Sequence, residues 1–196
     1  MNDFSKEENE LRQLLEKLQE LNLEDGGGEI DDLIGVSLED LEQEFIREQN
    51  TQTIKFKKLH PEAKTPKYAY ELDSGFDLYS LEQIVLEPFG RALVPTGLSF
   101  DLPEGYEIQV RPKSGLAINM GLTVLNTPGT VDKGYLGEIK VIVFNTNNNS
   151  VVIEKGMKIA QAVLCPVVCG KFVNFEQTDN LGDSERGDAG FGSTGI

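Results

Sequence analysis

Five stretches of this chain carry more glycine and polar side chains than turn-making needs. They are Asp73-Ser74-Gly75-Phe76-Asp77-Leu78, Arg111-Pro112-Lys113-Ser114-Gly115-Leu116-Ala117, the run from Asn126 to Glu138, Lys155-Gly156-Met157-Lys158-Ile159-Ala160-Gln161, and the tail from Arg186 to Ile196. In the tail, glycines let the backbone approach a ligand and leave amide N–H groups free for phosphate, while Arg186 supplies charge and Phe191 a stacking face. Such a composition suits a flexible lid; the simpler account is a disordered terminus. Singly, the other stretches also have simple accounts: Asp77 as a solvated turn carboxylate, Lys113 and Ser114 as a helix start, Gln161 as a sheet-edge side chain. None is a Walker loop, because no glycine-rich stretch runs into Gly-Lys-Ser/Thr. The single histidine, His60, lies before Pro61 and far in sequence from these stretches, so a hydrolytic triad is not expected. Cys165 and Cys169 are too few for a disulfide framework, and a four-ligand zinc site within one subunit would need carboxylates. They read as core or surface thiols.

The elements that position these residues divide the chain in two. Four basic and sixteen acidic residues precede Thr53, a formal −12 against −3 for the remainder, so the overall −15 belongs mainly to an appendage. Within it, Ser5 and Glu8 have capping-box spacing ahead of Leu11, Leu14, Leu15, Leu18 and Leu21 on one helical face. Gly26-Gly27-Gly28 breaks that helix, and Ser37 with Asp40 starts a second one bearing Leu38, Leu41 and Phe45. These short acidic helices pack on their own main domain, on each other in an oligomer, or on a partner protein through their leucine faces. Neither stripe is long enough for a coiled coil. The acidic start is unlike a signal or transit peptide, and no apolar run approaches the roughly 18 residues of a membrane span. A cytoplasmic protein with no membrane and no nucleic-acid partner is expected.

From Thr53 the texture changes to short β-branched and aromatic runs separated by Gly, Pro and Asn. This predicts an all-β domain, a jelly roll or related barrel, over 53–185, after a helical extension over 1–52 and before the lid over 186–196. Expected strands are Ile54 to Leu59, Ile84 to Glu87, Ala92 to Val94, Tyr106 to Val110, Leu122 to Leu125, Ile139 to Phe144, Val151 to Glu154 and Ile159 to Leu164. Tyr106, Ile108 and Val110 alternate with polar residues, as in a strand with one buried face. Ile139 to Phe144 is apolar on both faces apart from Lys140, so that strand is expected to be central or at a subunit interface.

Taken together and in order, the five stretches closely resemble the five signature motifs of the trimeric deoxyuridine triphosphate nucleotidohydrolases, the dUTPases. The resemblance covers about residues 53 to 196 and implies Mg²⁺-assisted hydrolysis of dUTP to dUMP and pyrophosphate, by water attack at the α-phosphate. It implies that Asp132 orients and deprotonates the water, a task for a fixed base. Asn126 and the backbone of Gly129, Thr130 and Val131 would read uracil in a fit too tight for a 5-methyl group. Tyr135 would pack under the deoxyribose, where its ring excludes a 2′-hydroxyl. Lys113, Ser114, Gly115 and Gln161 match phosphate-contacting positions, and Lys140 joins the substrate-binding set. Asp77 corresponds to an acid near the metal, acting through water. In the tail, Phe191 would stack on uracil while Arg186, Gly192 and Ser193 meet the β- and γ-phosphates. The family shares each site among three subunits, so a homotrimer is implied.

The chain departs from the family pattern at a few positions. Lys113 replaces an arginine, keeping charge but losing the bidentate fork, which shifts phosphate orientation toward Arg111 or Arg186. Met157 and Lys158 stand where Asp-Arg is usual, and Leu136 where an arginine is common after the tyrosine; these bear on local salt bridges. The nearest enzymatic alternative, a dCTP deaminase, needs a glutamate on the strand after the hairpin, where this chain offers Val141, Ile142, Val143 and Phe144. The other is a catalytically altered nucleotide-binding regulator acting through the N-terminal helices.

Overall fold

Eleven antiparallel strands arranged in four small sheets carry the domain among the residues described by this computed structural model, 51–190. The segments expected to form two N-terminal helices, and Phe191, Gly192 and Ser193 of the tail, lie outside the described residues. Strand β1 (Lys55–Lys58) pairs with β5 (Leu98–Asp101), and β3 (Ile84–Leu86) with β10 (Val151–Ile153). The larger sheet runs β2 (Gly75–Tyr79), β11 (Lys158–Pro166), β6 (Tyr106–Arg111), β8 (Gly129–Val131). A three-stranded sheet places β9 (Lys140–Asn145) between β4 (Arg91–Pro95) and β7 (Leu122–Val124). The expected all-β class holds.

Period-two patterning explains most of the core. On β6, Ile108 and Val110 are buried while Glu107, Gln109 and Arg111 are half-buried on the other face. On β9, Val141 and Val143 are buried and Ile142 and Phe144 half-buried, as suits the centre of its sheet. Asn145 closes that strand fully buried, its amide donating to the carbonyls of Leu86, Glu87 and Asn149.

Three strands fall where the sequence signalled none. Strand β2 contains Gly75 and Asp77, poor strand formers, and is held by its pairing with β11. Strand β5 buries Leu98, Ser99 and Phe100 in succession, so it has no alternation to detect. Strand β8 is three residues inside a segment that reads as a hairpin loop.

The one α-helix among the described residues, α1 (Ser114–Met120), follows β6. Lys113 is its N-cap residue; an ammonium has no acceptor for the first-turn N–H groups, so no side-chain cap forms. Gly121 ends the helix in the left-handed region at φ 59°, and a Cβ there would meet the Asn147 amide at 2.6 Å.

Candidate active site

The larger sheet assembles a cation-rich cluster. Gln161 on β11 stands opposite Asp77 on β2 and opposite Arg111 on β6, so three of the marked segments meet in one row. Phe76 and Leu78 point into the core, which turns Asp77 to the opposite face. There its carboxylate accepts hydrogen bonds from Lys113 Nζ on one oxygen and, at 2.7 Å, from Lys158 Nζ on the other. Gln161 Nε2 donates to the Pro112 carbonyl at 3.0 Å, tying β11 to the start of the Lys113-Ser114-Gly115 segment. Ser114 and Gly115 are exposed, and a Cβ on Gly115 would meet nothing within 4 Å, so the segment is open to an approaching ligand.

Lys158 reaches Asp77 because β11 carries a bulge. Ala160 stands opposite Leu78, yet Lys158 rather than Ile159 stands opposite Tyr79. The additional residue leaves both Ile159 and Ala160 buried and puts Lys158 on the Asp77 face. In an unbroken strand Lys158 would share a face with Ala160 and Ala162, both fully buried, where an ammonium cannot go. The lysine at this departure from the family pattern therefore makes a salt bridge of its own.

Partial burial pushes the Asp77 carboxyl up, but the hydrogen bonds and charge of Lys113 and Lys158 outweigh it and hold the group below its ordinary value. The Asp77 hydrogen bond and charge in turn raise Lys158. A depressed carboxyl stabilises the fold fully above the unfolded pKa, about 3.9, and loses that contribution as pH falls through the lower folded value. The Tm advantage of the native chain over Asp77→Asn is therefore expected to be level from about pH 5 to 8 and to shrink below about pH 4. Thermal melts of both proteins across that range check it; an advantage that grows on acidification contradicts it.

The guanidinium of Arg111 is turned back along its strand. It donates to Gln109 Oε1 through Nε at 3.1 Å and Nη2 at 2.6 Å, and Nη2 also reaches Cys165 Sγ at 3.5 Å. In this arrangement Arg111 does not supply the fork that Lys113 lacks.

A second group surrounds the hairpin after β8. Thr130, Asp132, Tyr135, Glu138 and Lys140 line a cavity of about 280 Å³, with Leu93, Val131 and Ile139 as apolar wall. Burial of Gly129 and Val131 turns Thr130 outward, and Asp132 follows exposed at the strand end. The Tyr135 N–H donates to the Asp132 carbonyl at 3.0 Å, closing the turn, and the Tyr135 hydroxyl donates to the Glu138 carbonyl at 2.9 Å. Glu138 Oε1 accepts from the Gly97 N–H at 2.8 Å, and Oε2 lies 3.5 Å from Lys140 Nζ. Ser99 Oγ and Thr96 Oγ1 donate to the carbonyls of Leu136 and Ile139, so the β4–β5 region holds the hairpin from below. Asn126 is exposed beside Gly129, where a Cβ would meet its amide nitrogen at 3.0 Å.

Among the described residues, no side-chain hydrogen bond or ion pair joins these two groups. Arg186 belongs to neither: it is exposed, and its Nε donates to the nearby Ala189 carbonyl at 2.9 Å. Sequence reasoning missed Leu93, which carried no polar signal, and Glu138 as the link between Gly97 and Lys140. A further cavity, of about 290 Å³ beside Tyr79, Ser80, Thr96 and Lys155, contains none of the expected site residues, and the hydroxyls of Ser80 and Thr96 are already bonded to the Glu82 and Ile139 carbonyls.

An antiparallel β domain with a cationic cluster on one sheet and, beside a hairpin, a small cavity that joins one tyrosine ring to an acid and a lysine has the make-up of a β-fold nucleotidohydrolase. The dUTPase family model matches residues 61–195, and the chain belongs to the dUTPase family. A deoxyuridine 5'-triphosphate nucleotidohydrolase of Clostridium tetani is 51% identical over 143 residues, covering 73% of this chain and 97% of the relative. The Nautilia profundicola enzyme of the same name is 50% identical over 142 residues, covering 72% and 98%. Among solved structures, the Staphylococcus bacteriophage 80alpha dUTPase with dUPNHPP has a TM-score of 0.68 at 29% identity, covering 74% of this chain and all of that one.

Proposed function

We propose that this chain hydrolyses dUTP to dUMP and pyrophosphate in the cytoplasm, limiting uracil incorporation into DNA and supplying dUMP. The observation that carries this reading is the gathering of Thr130, Asp132, Tyr135 and Lys140 round one cavity, in a chain whose relatives bear the name of that activity. Asp132 is the base that orients and deprotonates water. Asn126 with Gly129, Thr130 and Val131 reads uracil, Tyr135 underlies the deoxyribose, and Lys140 contacts substrate from the cavity wall. Lys113, Ser114, Gly115 and Gln161 hold the phosphates. Phe191 closes on the base, with Arg186, Gly192 and Ser193 on the terminal phosphates.

Asp77 is the carboxylate assigned to a Mg²⁺ held through water; its two oxygens carry Lys113 and Lys158 here, so the ion would approach only as those ammonium groups turn to the phosphates. No cluster of three or more His, Cys, Asp or Glu converges among the described residues, and Mg²⁺ needs few protein carboxylates when triphosphate oxygens and water complete its shell. The ion supplies neutralisation of the phosphate charge. The phosphate cluster and the hairpin cavity lie on one sheet, yet no side-chain hydrogen bond or ion pair joins them among the described residues; this supports a homotrimer in which neighbouring subunits complete each site, with the tail contributed by the third.

Pyrophosphate release from dUTP with Mg²⁺, with dCTP as control, tests the reading in the full chain and in residues 53–196. Both proteins are expected to hydrolyse dUTP and spare dCTP. A trimer that binds dUTP with Mg²⁺ and releases no pyrophosphate overturns the reading. Loss of activity or of the trimer on truncation alone makes residues 1–52 part of the enzyme proper.

A further inference from the structure

We infer that Gly137 is a specificity-determining position, setting the height of the Tyr135 ring and through it the choice between deoxyribose and ribose. The inference rests on the placement of Tyr135 under the sugar. A Cβ built on Gly137 would lie 2.7 Å from both Cζ and Oη of Tyr135 and 3.0 Å from its Cε2. The three nearest atoms thus all belong to the Tyr135 side chain. Real Cβ atoms do not tolerate such distances, so any side chain at 137 displaces the tyrosine.

The backbone at 137 does not itself call for glycine. Its φ lies outside the left-handed region, so alanine is admissible on conformational grounds and only the space is lacking. The glycine serves the ring lying on it. That ring is also tethered to the next residue: its hydroxyl donates to the Glu138 carbonyl at 2.9 Å, and the Glu138 carboxylate is fixed by the Gly97 N–H at 2.8 Å. Glu138 is thus a positioning residue, tying the tyrosine to the turn after β4. The ring is nonetheless half exposed, at 49%, and lines the cavity beside Thr130, Asp132 and Lys140. Its plane is set by the seat at 137 and the tether at 138 rather than by burial in the core.

A sugar floor discriminates by contact distance, so a shift of a few tenths of an ångström changes what fits above it. In Gly137→Ala the ring is lifted or swung aside. Relative kcat/KM for dUTP over UTP is expected to fall roughly tenfold or more, through a raised KM for dUTP together with admission of UTP.

The test is a double-mutant cycle on that ratio with Tyr135→Ala. Expected is a fall in both single variants and no additional effect of Gly137→Ala in the Tyr135→Ala background, where the added methyl no longer meets the ring. An equal effect of Gly137→Ala with and without the ring overturns the inference, as does an unchanged ratio in a Gly137→Ala protein that still hydrolyses dUTP. If Gly137→Ala fails to fold, Tyr135→Phe, which keeps the ring and loses the tether, replaces it; an unchanged ratio there overturns the tether. An unchanged ratio in Tyr135→Ala instead removes the sugar-floor reading itself.

Discussion

Replacing Asp132 with asparagine is expected to cut dUTP turnover by about 10²- to 10⁴-fold, the range a positioned general base supplies. The substitution preserves size and leaves the turn intact, because the hairpin is closed by the Asp132 carbonyl, not its carboxylate. Among the described residues the carboxylate has no hydrogen-bond or ion-pair partner, so its removal leaves no orphaned donor in the fold. Binding of a non-hydrolysable dUTP analogue is therefore expected to stay within a few-fold, and the loss to appear in kcat. Single-turnover pyrophosphate release and analogue binding, measured side by side, separate the two. An unchanged rate removes Asp132 from the chemistry; an equal loss of binding makes it a ligand contact instead.

Deleting residues 186–196 is expected to lower turnover by roughly 100-fold or more, since a closing segment both orders the phosphates and excludes water. From Lys171 to Ala189 every residue is exposed, including Phe175 and Leu181 at 93% and 95%. The chain turns through positive φ at Gly182 and Gly187, and Arg186 bonds only within its own turn. Because residues 186–189 cover no core, the deletion is expected to leave the domain's melting temperature and the proposed trimer intact. Size-exclusion chromatography and a thermal melt of the truncated protein test the second half of this, and a collapse of the trimer would move the tail from catalysis to assembly.

Asp77 illustrates how far residue type alone reaches. A carboxylate near glycine, in a segment matching a known motif, was legible as a site residue. Its partner Lys158 was legible only as a departure from that motif. The bulge that aims Lys158 at Asp77 depends on which residue of β2 faces which residue of β11, and on the need to bury both Ile159 and Ala160. Strand β2 was hidden for the same reason: Gly75 and Asp77 are poor strand formers, and a partner 80-odd residues away overrides their preference. Arg111 shows the reverse. Its charge made it a candidate phosphate ligand, yet Gln109 and Cys165 beside it take the guanidinium.

The order of the five segments, their residue types and the period-two runs between them were enough to define the β class and the family, because those features are local and survive in a linear chain. Which of the segments meet was decided by register and burial. These set Asp77, Lys113, Lys158 and Gln161 on one face, gathered Asp132, Tyr135 and Lys140 round a separate cavity, and seated the Tyr135 ring on a glycine two residues further along. Each such contact depends on pairings distant in sequence or on empty space beside a backbone, and neither is written in the order of the residues.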